Sequence, residues 1–312
     1  MQLREFQMGD IPAIAAIRNA SIELSPDFYS MTLDRFRYDF YGADFPLTSR
    51  IVVAEQYGKV AGFYHLYTDE RLLAQGRSNL DSIHVAPDQR GAGVGSALVA
   101  SVVETAHGWG ARYVSTAIPE ASPRSLGFLE RHGFKRLRRF DLLRLAMQAG
   151  HNPPEPPPGF SLRAFQAGDE ARFVEAFNAA FADHWDFVPL EAPEVQLWNR
   201  RATFDPEGCL LLTVEGTGEV VAFVTVLQQA EPDAPAGQPA VARIFEMGVV
   251  PALRRRGLGY VMLQTGLAYA ASHGFTAVDL VTDAESEAGL HLYAKVGFTE
   301  KRSSIVLHRQ VG

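Results

Sequence analysis

Two glycine-rich turns carry the clearest chemical signal in the sequence. Arg90–Gly95 reads RGAGVG and Arg254–Gly259 reads RRRGLG, so both fit R-x-x-G-x-G between a strand-like and a helix-like run. The first turn of a helix leaves backbone N–H groups unpaired and carries a partial positive charge, which suits a pyrophosphate. Glycines let the backbone approach the phosphates, and an arginine adds a cation. Each turn therefore predicts a phosphate site, although a tight strand–helix connection has the same pattern.

Several other chemistries are excluded because the sequence lacks their motifs. Neither turn completes the dinucleotide fingerprint G-x-G-x-x-G, and the sequence has no G-x-x-x-x-G-K-[ST] motif of P-loop NTPases. The nine histidines show no HExxH motif or paired metal spacing, so no catalytic metal is expected. Cys209 leads an apolar run, where a small buried hydrophobic residue is favoured over a nucleophile.

The elements that must position the two turns occur twice along the chain. Leu3–Asp10 (LREFQMGD) recurs as Leu162–Asp169 (LRAFQAGD), and each copy predicts a short strand followed by a helix with aspartate at its N-cap. Later landmarks recur at a constant offset of 164 residues, from Pro87 and Pro251 to Gly133-Phe134 and Gly297-Phe298. We interpret this as a duplication rather than as convergent strand–turn–helix punctuation.

Each repeat predicts the same mixed α/β order. Paired strands come first, then a strand that ends at the proline before the turn, a helix, a further strand and a last helix. The predicted strands are residues 51–54, 60–67 and 113–117 in the first repeat, and 210–214, 220–227 and 278–282 in the second. The helices after the turns should bury Leu98, Val102, Ala106, Leu263, Leu267 and Ala270. Five prolines in Gly150–Gly159 mark a linker between the repeats.

Bulk composition indicates an ordinary globular protein. The 312 residues suggest two domains, and a net charge of −7 argues against a general nucleic-acid or membrane-surface binder. A single cysteine allows no intrachain disulfide, and the sequence shows no signal peptide and no apolar run long enough to span a bilayer. A cytoplasmic location is expected.

The two turns resemble motif A of the GNAT superfamily of N-acetyltransferases, which cradles the pyrophosphate of acetyl-CoA. Residues 83–87 and 247–251 look like the superfamily's fourth strand, and residues 180–185, 198 and 204–208 look similar to mycothiol-synthase-like tandem members. The resemblance implies two domains, each with a mostly antiparallel sheet that splays between two parallel strands to admit the pantetheine arm. It implies cofactor contacts at Val85, Arg90, Gly91, Ala92, Gly93, Val94, Gly95, Val249, Arg254, Arg255, Arg256, Gly257, Leu258 and Gly259.

The last family motif separates the two repeats. It ends approximately as L-Y-x-x-x-G-F, and the second repeat matches with Leu292-Tyr293, whereas the first has Phe128-Leu129. A phenol can protonate the departing coenzyme A thiolate, and leucine cannot. The resemblance therefore favours Tyr293 as general acid over a packing role, while His132 or water is a weaker substitute in the first repeat.

The attacking amine must also lose a proton, which calls for a base. Many GNAT proteins carry a glutamate eight residues before the strand's proline, but this chain has Arg243 there. Glu246, five residues before the proline, is the candidate base, with a solvated strand-face carboxylate as the alternative; its counterpart is Ser82, next to Asp81. On strands or segments that line the family's acceptor cleft, packing is favoured over substrate contact for His65, Tyr67, His184, Trp185 and Trp198.

The sequence therefore predicts a tandem acetyltransferase. Residues 1–149 would form a cofactor-binding but catalytically degenerate domain, 150–159 the linker, and 160–312 the catalytic domain. The acetyl group would pass directly from acetyl-CoA to a primary amine of a small-molecule acceptor, in a monomer or homodimer. Two alternatives stay open at this point: both domains as non-catalytic acyl-CoA sensors or scaffolds, or an active first domain.

Overall fold

A computed structural model describes residues 1–22, 48–147, 154–185, 187–198, 205–228 and 241–312. The described residues fall into two compact units. Unit 1 takes its residues from 1–139 and 304–312, and unit 2 takes its residues from 140–303. In this part of the chain, no helix has the length and apolarity needed to cross a bilayer.

Unit 1 is a sheet with helices on both faces. Its elements are β1 (Gln2–Glu5), α1 (Ile11–Ile22), β2 (Thr48–Gln56), β3 (Lys59–Thr68), α2 (Glu70–Ala74), β4 (Arg77–Val85), α3 (Val94–Gly108), β5 (Tyr113–Pro119), α4 (Pro123–Arg131), the start of β6 (Lys135–Ala146) and most of β12 (Thr299–Gln310). The strands lie in the order β1-β2-β3-β4-β5-β12.

Unit 2 repeats this plan. Its elements are the end of β6, then β7 (Phe160–Ala164), α5 (Glu170–Phe181), α6 (Ala192–Trp198), β8 (Cys209–Val214), β9 (Val220–Gln228), β10 (Val241–Val249), α7 (Leu258–Ser272), β11 (Ala277–Asp283) and α8 (Glu287–Val296). The strands lie in the order β6-β11-β10-β9-β8-β7. The predicted α/β class and the predicted strands are confirmed in both units.

The last strand of each repeat completes the sheet of the other repeat's unit. β12 pairs antiparallel with β5, from Ser304 opposite Pro119 to Gln310 opposite Tyr113. β6 pairs antiparallel with β11 in unit 2. The boundaries at 149 and 160 stay a proposal about the sequence repeat, since the two repeats exchange these strands; residues 150–153 of the linker lie outside the described residues.

Each repeat opens on the same ion pair. Arg4 donates to both carboxylate oxygens of Asp10 at 2.7 and 2.8 Å, and Arg163 donates to both oxygens of Asp169 at 2.5 and 2.8 Å. Each aspartate also accepts the backbone N–H of the glutamine three residues before it. The aspartates therefore tie β1 and β7 to the following turn. The predicted side-chain cap is absent at Asp169, although this residue does precede α5.

Apolar clusters pack on both faces of each sheet. All six residues predicted to be buried by the helices after the turns are fully buried, in α3 and α7. On the opposite faces, α1 packs Ile11, Ile14 and Ile17 against Phe63, and α5 packs Phe173 and Phe177 against Phe223. Each fully buried side chain of this size contributes about 1.5–3 kcal/mol. Both faces of the strands that carry the candidate site are thus fixed by helices.

Candidate functional site

The parallel strands of each unit separate before they end. β4 pairs with β5 only over Arg77–Asn79, yet it continues to Val85. β10 pairs with β11 only over Val241–Ile244, yet it continues to Val249. A gap therefore opens in each sheet toward the end of the strand that leads into the glycine-rich turn. This is the splay that the family resemblance implies.

The two turns share one backbone geometry at the mouth of each gap. Gly93 and Gly257 precede α3 and α7 in the left-handed region, and both have φ 82° and ψ −3°. A Cβ at either position would meet no heavy atom of the described residues within 4 Å, so among these residues the space beside both glycines is open. The first-turn N–H groups of a helix have no intrahelical acceptor, which makes each turn suitable for an anion.

The leading arginines hold the turns in place. Nε of Arg90 donates to the Val85 carbonyl, and Nε of Arg254 donates to the Val249 carbonyl, both at 3.3 Å. Both terminal nitrogens of the Arg254 guanidinium donate to the carboxylate of Asp183, which lies just beyond the end of α5. The sequence predicts that this cation binds a phosphate. In the structure the Arg254 guanidinium donates to Val249, Ala180 and Asp183, and its phosphate contact stays a prediction.

The exposed cations at the turns differ between the units. Arg255 has φ 64°, in the left-handed region that a residue with a side chain rarely occupies, and Gly91 holds the same repeat position with φ 80°. Arg255 and Arg256 are exposed, whereas unit 1 has Gly91 and Ala92 there. Unit 2 thus presents two more positive side chains beside its open helix N-terminus. Backbone strain of this kind is concentrated at functional sites.

Tyr293 lies on α8 and is half-buried against the core of unit 2. Its ring meets Phe298 edge-on at 5.9 Å. Burial raises the pKa of Tyr293 to about 12, so the phenol carries its proton at neutral pH. Within the part of the chain that the structure describes, its hydroxyl has no hydrogen-bond partner and is free to bind a ligand atom. In unit 1, Leu129 takes this position and is a core residue.

Glu246 follows a β-bulge in β10. Ile244 pairs with Val226 and Glu246 pairs with Thr225, so Phe245 is the extra residue and points to solvent. Because a bulge shifts the alternation by one residue, Glu246 faces away from α7 and shares the α5 face with Gly248. Burial raises the pKa of Glu246 to about 7, although the positive charge of Arg243 acts to lower it. A carboxyl group with this pKa can accept a proton near neutrality.

Unit 1 has its bulge at the matching position, with different chemistry. Leu66 pairs with Leu80 and His65 pairs with Ser82, so Asp81 is the extra residue of β4. Nδ1 of His65 lies 3.4 Å from Oδ2 of Asp81, and Nε2 of His65 lies 2.8 Å from Oγ of Ser49. Sequence reasoning favoured a packing role for His65 and missed this chain of polar contacts, because its members lie on three strands.

Of the other residues that the sequence singled out, His132 is held by protein contacts and Cys209 is buried. His132 contacts the Phe128 carbonyl at 2.8 Å and Ser96 Oγ, in the first turn of α3, at 2.9 Å. Cys209 is 1% exposed and burial raises its pKa to about 12, which agrees with a packing role. The side chain of Trp198 and residue Phe204 lie outside the described residues.

One acidic cluster lies elsewhere in unit 2. Asp205, Glu207 and His273 each bring one ligand atom to within 4.8 Å of the others. The Asp205 carboxylate already accepts the Tyr269 hydroxyl at 2.5 Å, and Glu207 and His273 are exposed. The cluster has no feature that selects an ion, so it carries no assignment.

Comparison with known proteins gives one consistent result. The sequence model described as the acetyltransferase (GNAT) family matches residues 15–134 and again residues 171–298. A mycothiol acetyltransferase of Thermobispora bispora is 31% identical over 279 residues, covering 85% of this chain and 90% of that protein. A mycothiol acetyltransferase of Stackebrandtia nassauensis is 28% identical over 271 residues, covering 86% and 85%.

Solved structures agree on the architecture. A GCN5-related N-acetyltransferase from Sphaerobacter thermophilus matches with a TM-score of 0.77 at 25% identity, covering 99% of this chain and 95% of that one. A tandem GNAT protein from the clavulanic acid biosynthesis pathway matches with a TM-score of 0.75 at 16% identity, covering 100% and 98%. At 16% identity, the second likeness concerns the fold alone.

Proposed function

The chain belongs to the acetyltransferase (GNAT) family, and we propose that its unit 2 is the centre at which an acetyl group passes from acetyl-CoA to an amine. Acetyl transfer to an amine is the reaction of this family and of this chain. The assignment of that reaction to unit 2, and of roles to its residues, rests on the geometry of the site.

The observation that carries the proposal is the combination found around the gap of unit 2. An open, arginine-flanked helix N-terminus stands at the end of β10, where a phosphate would bind. Glu246, on the same strand, has a pKa of about 7. Tyr293 offers a protonated phenol with no described partner. Unit 1 has the turn, but Leu129 replaces the phenol.

The proposed mechanism is a direct transfer in unit 2. The amides of residues 257–259 and the guanidinium groups of Arg255 and Arg256 bind the pyrophosphate of acetyl-CoA. The pantetheine arm lies in the gap between β10 and β11, with Val249 pairing to it. The amine nitrogen forms a bond to the thioester carbon, Glu246 takes its proton, and the carbon–sulfur bond breaks. The Tyr293 hydroxyl protonates the leaving thiolate, so no acyl-enzyme forms.

In unit 1 we propose that residues 90–95 and Val85 hold a second acyl-CoA molecule in the same manner. The shared backbone geometry at Gly93 and Gly257 supports this. Unit 1 is degenerate with respect to its acid, because Leu129 cannot protonate a thiolate. The chain would act on small molecules, without a nucleic-acid or membrane partner, as a monomer or homodimer that light scattering would distinguish.

The proposal is tested by coenzyme A release with acetyl-CoA and a panel of primary amines, with the acetylated product identified by mass. Amine-dependent release that is lost in Gly257→Glu supports unit 2 as the main centre. Equal release from wild type and Gly257→Glu would contradict it.

A further inference from the structure

Unit 1 carries a line of polar side chains across three adjacent strands. Ser49 is on β2, His65 on β3 and Asp81 on β4, with contacts of 2.8 Å and 3.4 Å between successive members. His65 is 7% exposed, so its ring is fixed, while Ser49 is exposed and half of the Asp81 side chain is exposed. A buried imidazole thus connects a half-exposed carboxylate to a hydroxyl at the surface.

This line begins beside the gap of unit 1. The last pair between β4 and β5 is Asn79 with Ser115, and Asp81 follows two residues later. His65 lies two residues after Phe63, which packs on α1, so the ring faces the α1 side of the sheet. That face corresponds to the α5 face of unit 2, which carries Glu246. Both units therefore place a titratable group on the same side of the gap.

The two units supply this group in different ways. In unit 2 the strand partner of Glu246 is Thr225, which cannot exchange a proton near neutrality. In unit 1 the carboxylate is replaced by Ser82, and its strand partner is His65. Burial opposes ionisation of Asp81, but its hydrogen bond with His65 favours the ionised form, and the pKa of Asp81 lies below its usual value. Unit 1 therefore has an ionised carboxylate to attract an ammonium group.

We propose that unit 1 is a second, slower acetyl-transfer centre, in which Asp81 and His65 accept the proton of a small polar amine. The inference rests on the proposed cofactor role of the turns. Loss of the phenol at Leu129 removes assistance to the leaving group and leaves the proton acceptor in place.

The reaction in unit 1 balances without further reagents. The amine nitrogen forms a bond to the thioester carbon as the carbon–sulfur bond breaks. The proton from nitrogen passes to the Asp81–His65 pair, and Ser49 connects that pair to solvent. The sulfur leaves as the coenzyme A thiolate and takes a proton from water, because the Leu129 position offers none.

The test isolates unit 1 in the full chain. Gly257→Glu disables the phosphate turn of unit 2, and the remaining coenzyme A release is measured with ethanolamine, glucosamine and spermidine. We expect about 10²- to 10⁴-fold less turnover than in wild type, since the acid is missing. The double variant Gly93→Glu/Gly257→Glu has both turns disabled, and its coenzyme A release is the blank. The residual turnover of Gly257→Glu must exceed this blank.

Two further variants in the Gly257→Glu background identify the proton acceptor. His65→Gln and Asp81→Asn should each lower the residual turnover by about 10²-fold or to the blank, while His107→Gln on exposed α3 surface should leave it unchanged. Asp81→Asn alters a half-exposed group without changing its shape, so it tests the role even if His65→Gln weakens the fold. Residual turnover equal to the blank, or turnover that survives Asp81→Asn, would overturn the proposal. Neither result affects unit 2, whose contribution is the difference between wild type and Gly257→Glu.

Discussion

The guanidinium of Arg254 donates hydrogen bonds of 2.6 and 3.1 Å to the carboxylate of Asp183 and a third, of 2.8 Å, to the Ala180 carbonyl. The pair joins the glycine-rich turn of unit 2 to the end of α5, 71 residues away in sequence. In unit 1 the corresponding contact is a hydrogen bond of 3.3 Å from the Arg90 guanidinium to the uncharged hydroxyl of Ser21. The turn that we propose to serve catalysis is therefore the more firmly anchored one.

Removing Asp183 should weaken acetyl-CoA binding although it touches no ligand. Asp183→Ala removes the carboxylate acceptor of the Arg254 guanidinium and loosens the turn. Because an exposed ion pair contributes up to about 1 kcal/mol, the affinity for acetyl-CoA should fall by up to about fivefold. Calorimetric titration with acetyl-CoA measures this, with Ser21→Ala as the matched change in unit 1. Tighter binding in Asp183→Ala would mean that the released Arg254 reaches the phosphates itself.

Arg255→Gly should leave stability nearly unchanged and reduce acetyl-CoA affinity. Glycine relieves a left-handed conformation that costs about 1 kcal/mol for other residues, which offsets its greater freedom in the unfolded chain. One lost charged contact corresponds to about tenfold or more in affinity. The affinity should also become less sensitive to salt. If affinity and salt dependence both match wild type, Arg255 is no phosphate ligand.

Introducing a negative charge at each of the two turns should separate their contributions. Gly257→Glu places a carboxylate where the pyrophosphate would bind, and turnover should fall by about 10²-fold or more. Gly93→Glu should leave turnover largely intact. Gly257→Ala and Gly93→Ala control for backbone strain, because a Cβ at either site meets no atom of the described part of the chain within 4 Å. Equal losses from Gly93→Glu and Gly257→Glu would contradict the division between the units.

Glu246→Gln should remove the pH dependence of catalysis. Only the ionised carboxylate accepts a proton, so kcat/KM of the wild type should rise with pH through about 7 and level off above it. The glutamine variant should be about 10²- to 10⁴-fold slower, with no inflection near 7. An unchanged inflection in Glu246→Gln would assign that titration to the amine or to another residue.

The same variant should be more stable than wild type at alkaline pH. The folded-state pKa of Glu246, about 7, lies above the ordinary value of 4.5, so the native state holds the proton more tightly between these values. Wild type therefore loses unfolding free energy as pH rises from 4.5 to 7, by up to about 3 kcal/mol. Urea denaturation should show Glu246→Gln gaining that amount at pH 8 and nothing at pH 4. A variant that is both slow and unstable at pH 8 would indicate a structural role.

The duplicated strand–turn–helix order could be predicted from sequence because it depends on local signals. Glycine at the left-handed positions and apolar residues at helical spacing act within one segment, so the turns and the buried faces of α3 and α7 were predictable. The exchange of β6 and β12 was not, since both are alternating strands after a Gly-Phe pair and only the assembled sheets distinguish their partners.

Prediction of the candidate site has the same limit: residues within one contiguous motif could be identified, and contacts between distant segments could not. Tyr293 was identifiable because its motif is contiguous. The pKa of Glu246 depends on a bulge at Phe245, and the role of Arg254 depends on Asp183 far along the chain. His65 gained its partners from β2 and β4, which no spacing in the sequence indicates. Contacts between distant segments are set by tertiary packing, and they determine most of the electrostatics of the site.

The central claim is that unit 2 catalyses transfer with Tyr293 as its acid, and Tyr293→Phe tests it most directly. The variant keeps the ring and its contact with Phe298 and removes a hydroxyl that has no hydrogen-bond partner among the described residues, so stability should change little. With an amine that wild type acetylates, steady-state kinetics should show kcat lower by about 10²- to 10⁴-fold, or about 3–5 kcal/mol of barrier. The dissociation constant of acetyl-CoA should stay the same, because the hydroxyl acts when charge develops on sulfur. A kcat within about twofold of wild type would contradict the account and return Tyr293 to a packing role.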